Sequence, residues 1–193
     1  MSVPGSFAAS SAPTARTVRR DPQAPTSPAA VDATEPTITT HRVTYSDRLK
    51  LFVGAGETIE SYLRPLRRLD GHHRYSVQLT RLPDAMRSTE ISPAISAAPG
   101  ANYLLCTGSA DAVVVELCHT VDAVTRRTRR FTVGRAGSRD GEPGICVQVP
   151  DSVPAPWIYP DEVWTAEETA AIFANYFRTG TVPTGLVLRE TTD

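Results

Sequence analysis

The chain has 193 residues, a formal net charge of −1, 16 prolines and 3 cysteines. This length fits one folded domain of common size with a shorter remainder. No run approaches the roughly 18 consecutive apolar residues of a membrane-spanning helix, so we expect a soluble protein. The odd number of cysteines favours a reducing cytoplasm over a disulfide scaffold.

Residues 1–36 contain six of the 16 prolines and one aromatic residue, Phe7. A segment with so little apolar surface cannot offset an ordering entropy of about 1–2 kcal/mol per residue. It lacks the continuous apolar stretch of a secretory signal, and its prolines disfavour the amphipathic helix of a transit peptide. We therefore predict a disordered tail over 1–36 and a single folded domain over 37–193.

Charge is distributed unevenly along the predicted domain. Residues 37–139 carry 15 basic and 9 acidic residues, a formal charge of +6, whereas residues 140–193 carry 2 basic and 9 acidic residues, a charge of −7. Such asymmetry favours separate basic and acidic surfaces, unless the fold brings the two segments together and cancels both charges.

The domain begins with strands and then changes to a helical period. Residues 38–45 and 49–53 form two short strand candidates. The apolar residues that follow recur at the spacing of one helical face: Ile59, Tyr62, Leu63, Leu66 and Leu69. Pro65 lies inside this pattern, so it either kinks the helix or marks the first turn of a shorter helix.

The middle of the chain is predicted to be an antiparallel meander. Its expected strands are 75–79, 102–106, 112–118, 130–133 and 145–149. Residues 107–111 have the composition of a hairpin connection. Residues 83–100, which contain three prolines and many small side chains, are expected to form a long loop.

The last forty residues have the clearest local signals. Thr165 and Glu168 have the spacing of a capping box that begins a helix, and Gly180 provides its left-handed stop. The expected buried stripe of this helix is Thr169, Ile172, Phe173, Tyr176 and Phe177. Residues 184–189 form a final strand. The whole pattern predicts an α+β domain, an antiparallel sheet of about five to seven strands packed by two α-helices.

No residue pattern in the chain indicates catalysis, a metal or a cofactor. Cys118 and His119 would point to opposite faces of a strand, so they cannot act as nucleophile and base. The cysteines also lack the close spacing of metal ligands, and we expect all three to be small core residues. Arg127 and Arg129 share one strand face and form a candidate anion site; the alternative is a solvated hairpin end. Nucleic acid is not expected, because no aromatic residue alternates with these arginines.

The C-terminal region resembles the Imm1-type immunity proteins. In that family a helix ending in F-x-x-G-x-x-P-x-x-V closes an α+β domain, and the matching positions here are Phe177, Gly180, Pro183 and Val187, with one residue of slack at the last. The earlier order of strand, helix and meander is also similar. The resemblance implies a bacterial cytoplasmic protein of a toxin–immunity pair, one that binds a polymorphic toxin and blocks its site.

A toxin domain with a basic cleft would be the expected protein partner, because an acidic segment would be attracted to it. The candidate partner-binding residues are Trp157, Tyr159, Asp161, Glu162 and Glu167. In this interpretation the aromatic residues are contact anchors and the acids steer association. Alternatively, Trp157 and Trp164 cover the sheet edge and the acids are merely solvated. The alternative function is an enzyme or small-molecule-binding protein with a pocket between the sheet and the 83–100 loop.

Overall fold

Strands make up most of the regular structure in the described residues of the computed structural model, which are 38–97, 101–122, 124–125, 127–137 and 139–191. An antiparallel sheet packed by helices confirms the predicted α+β class. The predicted tail, residues 1–36, and the arginine at position 126 lie outside the described residues.

Ten strands and three α-helices follow one another along the described part of the chain. The strands are β1 Ile38–Tyr45, β2 Leu49–Gly54, β3 Ser76–Arg87, β4 Tyr103–Ser109, β5 Ala112–Asp122, β6 Arg127–Gly134, β7 Ile145–Cys146, β8 Trp157–Ile158, β9 Val163–Trp164 and β10 Val187–Thr191. The α-helices are α1 Glu60–Leu63, α2 Pro93–Ala97 and α3 Ala166–Thr179. Short 3₁₀ helices span Arg64–Arg68, Ser88–Glu90 and Pro160–Glu162.

The main sheet is antiparallel throughout and has the order β10-β6-β5-β4-β3-β1-β2, with the short strand β9 beside the start of β5. Strands β7 and β8 form a separate two-stranded sheet. The hairpin predicted between β4 and β5 is confirmed, with Ser109 opposite Ala112. Helices α1 and α3 cover one face, where alternate side chains of the inner strands, such as Leu104, Cys106 and Val115, are buried.

The first predicted helix is buried along its apolar stripe but is not one continuous α-helix. Ile59, Leu63 and Leu66 are at most 5% exposed. The α-helical turn ends at Leu63, and the chain continues as a 3₁₀ helix with Pro65 in its first turn. The sequence left open whether Pro65 kinks one helix or begins a shorter one. In the structure it lies in the first turn of a second, tighter helix.

Helix α3 matches its prediction closely. Thr165 accepts a hydrogen bond from the Glu168 backbone N–H, and the Glu168 carboxylate accepts one from the Thr165 backbone N–H. Gly180 ends the helix with a φ of 73°, in the left-handed region. All of these signals act within four residues, so the local sequence alone contains them.

Two predictions for the middle of the chain are wrong. Residues 83–87 belong to β3 rather than to a loop, because β3 continues along β1, with Arg87 opposite Ile38. Residues 145–149 do not continue the meander. They cross the second face of the sheet instead, where Val147 and Ile158 pack on Val114. This second layer, residues 139–164, carries most of the residues that the sequence proposed as a binding site.

Candidate functional site

Five acids of the C-terminal segment 140–193 pair with arginines, four of which come from the segment before it and one, Arg189, from the acidic segment itself. The ion pairs are Arg67–Glu167 at 3.1 Å, Arg129–Glu190 at 3.4 Å, Arg135–Glu168 at 2.6 Å, Arg139–Asp161 at 3.0 Å and Arg189–Glu162 at 2.7 Å. Much of the charge asymmetry seen in the sequence is thereby cancelled inside the folded domain. For these five acids, the fold therefore brings the two segments together and cancels their charges, which is the second possibility raised by the sequence.

Glu162 is the centre of the best-formed group in this layer. Its side chain is fully buried, and both of its oxygens accept hydrogen bonds from Arg189, from Nε at 2.7 Å and from Nη2 at 2.7 Å. The backbone N–H of Tyr159 donates to Glu162 Oε2 at 3.0 Å. A bidentate pair of this kind ties the second layer to the edge strand β10.

The electrostatics of this pair favour the charged forms. Burial alone would raise the pKa of Glu162, but the hydrogen bonds from Arg189 and from the Tyr159 backbone N–H, with the charges of Arg189 and Arg139, outweigh it and lower that pKa. The hydrogen bond to Glu162 likewise raises the pKa of Arg189. The Glu162 carboxylate therefore stays ionised and acts as a structural clamp rather than as a general acid.

A second arginine, Arg139, completes this layer. Its Nε donates to Asp161 Oδ2 at 3.0 Å, and its Nη2 lies 3.6 Å from Glu162 Oε1. Gly134 lies beneath it, where an added Cβ would come within 2.6 Å of Arg139 Nη2. A side chain at this position would therefore force the paired Arg139 to shift. We refer to Gly134, Arg139, Asp161, Glu162 and Arg189 as the clamp.

The structure corrects part of the proposed acidic surface. Glu162 is buried, and the Asp161 side chain is only 11% exposed and paired, so neither acid can steer a partner as predicted. The reason is that each acid meets an arginine that lies far from it in sequence. Glu167 is 75% exposed but lies outside this layer, in the first turn of α3, where it pairs with Arg67 of the first 3₁₀ helix.

The aromatic residues have three different environments. Tyr159 is half-buried, the guanidinium groups of Arg139 and Arg189 lie 5.9 and 5.4 Å from its ring centroid, and its hydroxyl donates to the Gly141 carbonyl at 3.0 Å. Trp164 is 5% exposed, and its indole N–H donates to the Val133 carbonyl at 2.9 Å. Trp157, in contrast, is 61% exposed. Of the three, only Trp157 offers a large aromatic surface to a partner.

The backbone that carries Trp157 is held from several sides. Its carbonyl accepts a hydrogen bond from Arg189 Nη2 at 3.4 Å, and the neighbouring residue Ile158 is fully buried against Val114. Across the two-stranded sheet it pairs with Cys146, which is also exposed. The clamp thus holds the backbone of Trp157 in place while its side chain stays exposed. The sequence analysis missed the roles of Arg139 and Arg189. The excess of acids in 140–193 was the available signal, because those acids need basic partners in the fold.

The other candidate residues are more widely separated. Arg127 and Arg129 are exposed on β6, and Arg129 pairs with Glu190 of β10. Cys106 and Cys118 are buried as expected, and burial raises the pKa of the Cys106 thiol to about 12. Cys146 contradicts the expectation of a buried core residue, because it lies on the outer side of β7. Among the described residues, no three His, Cys, Asp or Glu side chains converge as a metal site would require.

A cavity of about 380 Å³ lies close to where the alternative function placed a pocket. It is lined by Thr39, Phe52, Gly54, Glu57, Ser88 and Ile91. Its one titratable side chain, Glu57, already accepts hydrogen bonds from the Gly54 backbone N–H and the Tyr62 hydroxyl, each at 2.7 Å. This lining therefore lacks the converging acids and bases of an enzyme site.

Comparisons with known proteins add no family to this geometry. No family model matches the chain. Searches of curated proteins and of solved structures likewise return no match. Within the described part of the chain, no helix combines the length and apolar character that crossing a bilayer demands. The contacts of the site itself are therefore the basis for its function.

Proposed function

We propose that this protein is a non-catalytic binding protein that neutralises or regulates a partner protein, in the manner of an immunity protein. The observation that carries the proposal is the 61% exposure of Trp157 on a backbone held by the Glu162–Arg189 pair. Large aromatic anchors supply much of the energy of protein interfaces. A fixed backbone reduces the ordering cost on binding, so this tryptophan is prepared for contact.

The partner contact is expected to depend on apolar area more than on charge. Of the acids proposed to steer association, Asp161 and Glu162 are withdrawn into the clamp and Glu167 pairs with Arg67. Glu142 remains exposed, and it follows Gly141, whose carbonyl binds the Tyr159 hydroxyl. The proposed partner is still a toxin domain with a basic surface. Trp157 is its dominant contact, and Glu142 contributes only weak electrostatic steering.

The test is affinity capture from the native host with wild-type protein, Trp157→Ala and the matched control Val124→Ala. Val124 is 94% exposed on the β5–β6 turn, so its truncation removes an exposed apolar group away from the proposed surface. We expect one protein to be retained by the wild type and the control and lost with Trp157→Ala. For the purified partner, Trp157→Ala should weaken binding by about 2 kcal/mol or more, mainly through faster dissociation.

The captured protein must also be inhibited or otherwise changed in activity by an equimolar amount of the wild-type chain. Equal capture by the wild type and Trp157→Ala would exclude the tryptophan surface as the contact. Recovery of a converted metabolite and no protein would instead favour the enzyme alternative. Raising the salt concentration should change the association rate only modestly, because Asp161 and Glu162 are paired within the clamp.

A further inference from the structure

A second cavity, larger than the one lined by Ser88 and Ile91, lies on the helix-covered face of the sheet, between the β1–β2 hairpin and the first helices. Its volume is about 600 Å³, within the range of sites for small molecules. Strand β2 is the edge of the sheet here; Val53 near its end is buried with the residues of α1 and the 3₁₀ helix, but Leu49 and Leu51 in its first half stay exposed. We call this cavity the β2 cleft.

The floor and one wall of the β2 cleft are apolar. Val77 and Leu69 are buried at its base, and Pro65 and Tyr62 are half-buried along the helical side. Leu49 and Leu51, two residues apart and thus on one face of β2, are 53% and 38% exposed. The Tyr62 hydroxyl is already bonded to Glu57, so its ring contributes mainly apolar surface. Leucines this exposed beside a buried floor indicate a surface that a ligand can cover.

The charged lining of the β2 cleft is entirely basic. It comprises Arg48, Arg64, Arg68, Arg74 and His73, from the hairpin, the 3₁₀ helix and the segment before β3. Within the described part of the chain, none of these arginines has a carboxylate within ion-pair distance. Two acids close to these arginines in sequence are engaged elsewhere, since Asp47 accepts from the Tyr75 hydroxyl and Asp70 from backbone N–H groups.

Convergence of like charges on one cleft creates a positive potential that attracts an anion. Arginine is also the side chain best suited to hold carboxylate, sulfonate or phosphate groups, because its planar donors match them in pairs. We infer that the β2 cleft binds a small molecule with an apolar body and an anionic head group, such as a medium-chain or aromatic carboxylate. The apolar floor takes the body and the arginines take the charge.

This site is independent of the Trp157 surface and of the proposed function. Trp157 lies on β8, in the layer over the second face of the sheet, whereas the β2 cleft opens at the opposite edge strand. A small-molecule occupant is favoured over a protein segment, because the cavity has the volume of a ligand pocket and a buried base. Failure of either site would leave the other unaffected.

The experiment is isothermal titration calorimetry with decanoate and, as a charge control with the same chain, decyltrimethylammonium. We expect saturable binding of one decanoate per chain and at least tenfold weaker binding of the cation. Raising the salt concentration should weaken the binding of decanoate. Arg64→Ala with Arg68→Ala should weaken it at least tenfold. The matched control is Arg67→Ala, which lies on the same helix but pairs with Glu167 outside the cleft.

A second variant approaches the cleft from its apolar wall. Leu51→Glu places a carboxylate in the cleft beside the arginines, where it competes with decanoate for their charge, so it should abolish decanoate binding. Because Leu51 is already 38% exposed, the melting temperature should stay close to that of the wild type. Circular dichroism checks that each variant is folded. Equal affinity for the two probes, or unchanged decanoate affinity in both the arginine and Leu51→Glu variants, would overturn the inference. Absence of saturable decanoate binding to the wild type would overturn it as well.

Discussion

The clamp and the β2 cleft use the same side chain in opposite ways. In the clamp, Arg139 and Arg189 are 20% and 25% exposed and meet the carboxylates of Asp161 and Glu162. In the cleft, Arg64 and Arg68 are exposed on a short helix and meet no carboxylate within the described residues. Arg139 and Arg189 stabilise the fold, whereas Arg64 and Arg68 are available to bind a ligand.

This difference shows how an arginine-rich chain separates structure from recognition. A buried carboxylate needs its arginine, because an unpaired buried charge costs several kcal/mol. An exposed arginine is solvated and contributes little to stability whether or not it has a partner. Substitutions should therefore be costly in the clamp and nearly neutral for folding in the cleft.

Glu162→Gln should have the largest effect. The substitution keeps the shape of the side chain but leaves Arg189 without its buried counter-charge, while Arg139 retains Asp161, and we expect a cost of about 3–5 kcal/mol. For a domain of this size that corresponds to a fall of roughly 10 °C in melting temperature. The control is Glu167→Gln, whose surface pair with Arg67 should contribute about 0.5 kcal/mol or less. Similar falls in melting temperature for Glu162→Gln and Glu167→Gln would contradict the distinction between the buried ion pair and the surface one.

Acid should destabilise the fold through His41, a buried base with no carboxylate partner among its described hydrogen bonds. Burial, assisted by the nearby charge of Arg81, lowers the pKa of His41 from 6.5 to about 4. The unfolded chain therefore binds the proton first, so this stability is complete above pH 6.5 and is lost as the pH falls towards 4. Urea unfolding should show a loss of about 2 kcal/mol between pH 7 and pH 5.

His41→Gln supplies the control for this titration. The variant should be less stable at pH 7, since it loses the ring contact with Phe177, but its stability should change little between pH 7 and pH 5. The clamp titrates in a lower range, because the pKa of Glu162 is lowered from 4.5 in the fold and its contribution is lost only below that value. A variant with the same pH slope as the wild type would assign the effect to another group.

Gly134→Ala should destabilise the clamp by at least about 1 kcal/mol. An alanine Cβ would lie 3.0 Å from Asp161 Oδ2 and from Glu162 Cγ, besides its close approach to Arg139, so the ion-paired layer must shift. Gly56→Ala is the matched control, because no atom lies within 4 Å of its added Cβ. Thermal melts should separate the two variants by several degrees. Equal melting temperatures would mean that the layer yields without cost.

Arg64→Ala with Arg68→Ala should have the smallest effect on folding. Neither side chain forms an ion pair in the described structure, and relief of their mutual repulsion should offset the small loss of packing. We expect the free energy of unfolding to change by about 0.5 kcal/mol or less, in either direction. A loss comparable to that of Glu162→Gln would show that the cleft arginines are structural after all.

The residues of the clamp illustrate why sequence patterns located the region but not its chemistry. The excess of acids in 140–193 indicated an acidic surface, yet Glu162 is buried because Arg189 follows it by 27 positions and Arg139 precedes it by 23. Likewise, residues 83–87 contain a proline that suggested a loop, but pairing with β1 extends the strand through them. Proline is tolerated at such an irregular part of a sheet, where the register shifts.

By itself the sequence determined the α+β class, the apolar stripe of the first helix, and both ends of α3, because these depend on periodicity and on hydrogen bonds within a few residues. Tertiary structure alone decided that Glu162 is buried, that Trp157 is exposed while Trp164 is not, and that four arginines converge on one cleft. The physical reason is that charge pairing and exposure depend on neighbours that only folding brings together. Local sequence carries no record of those distances.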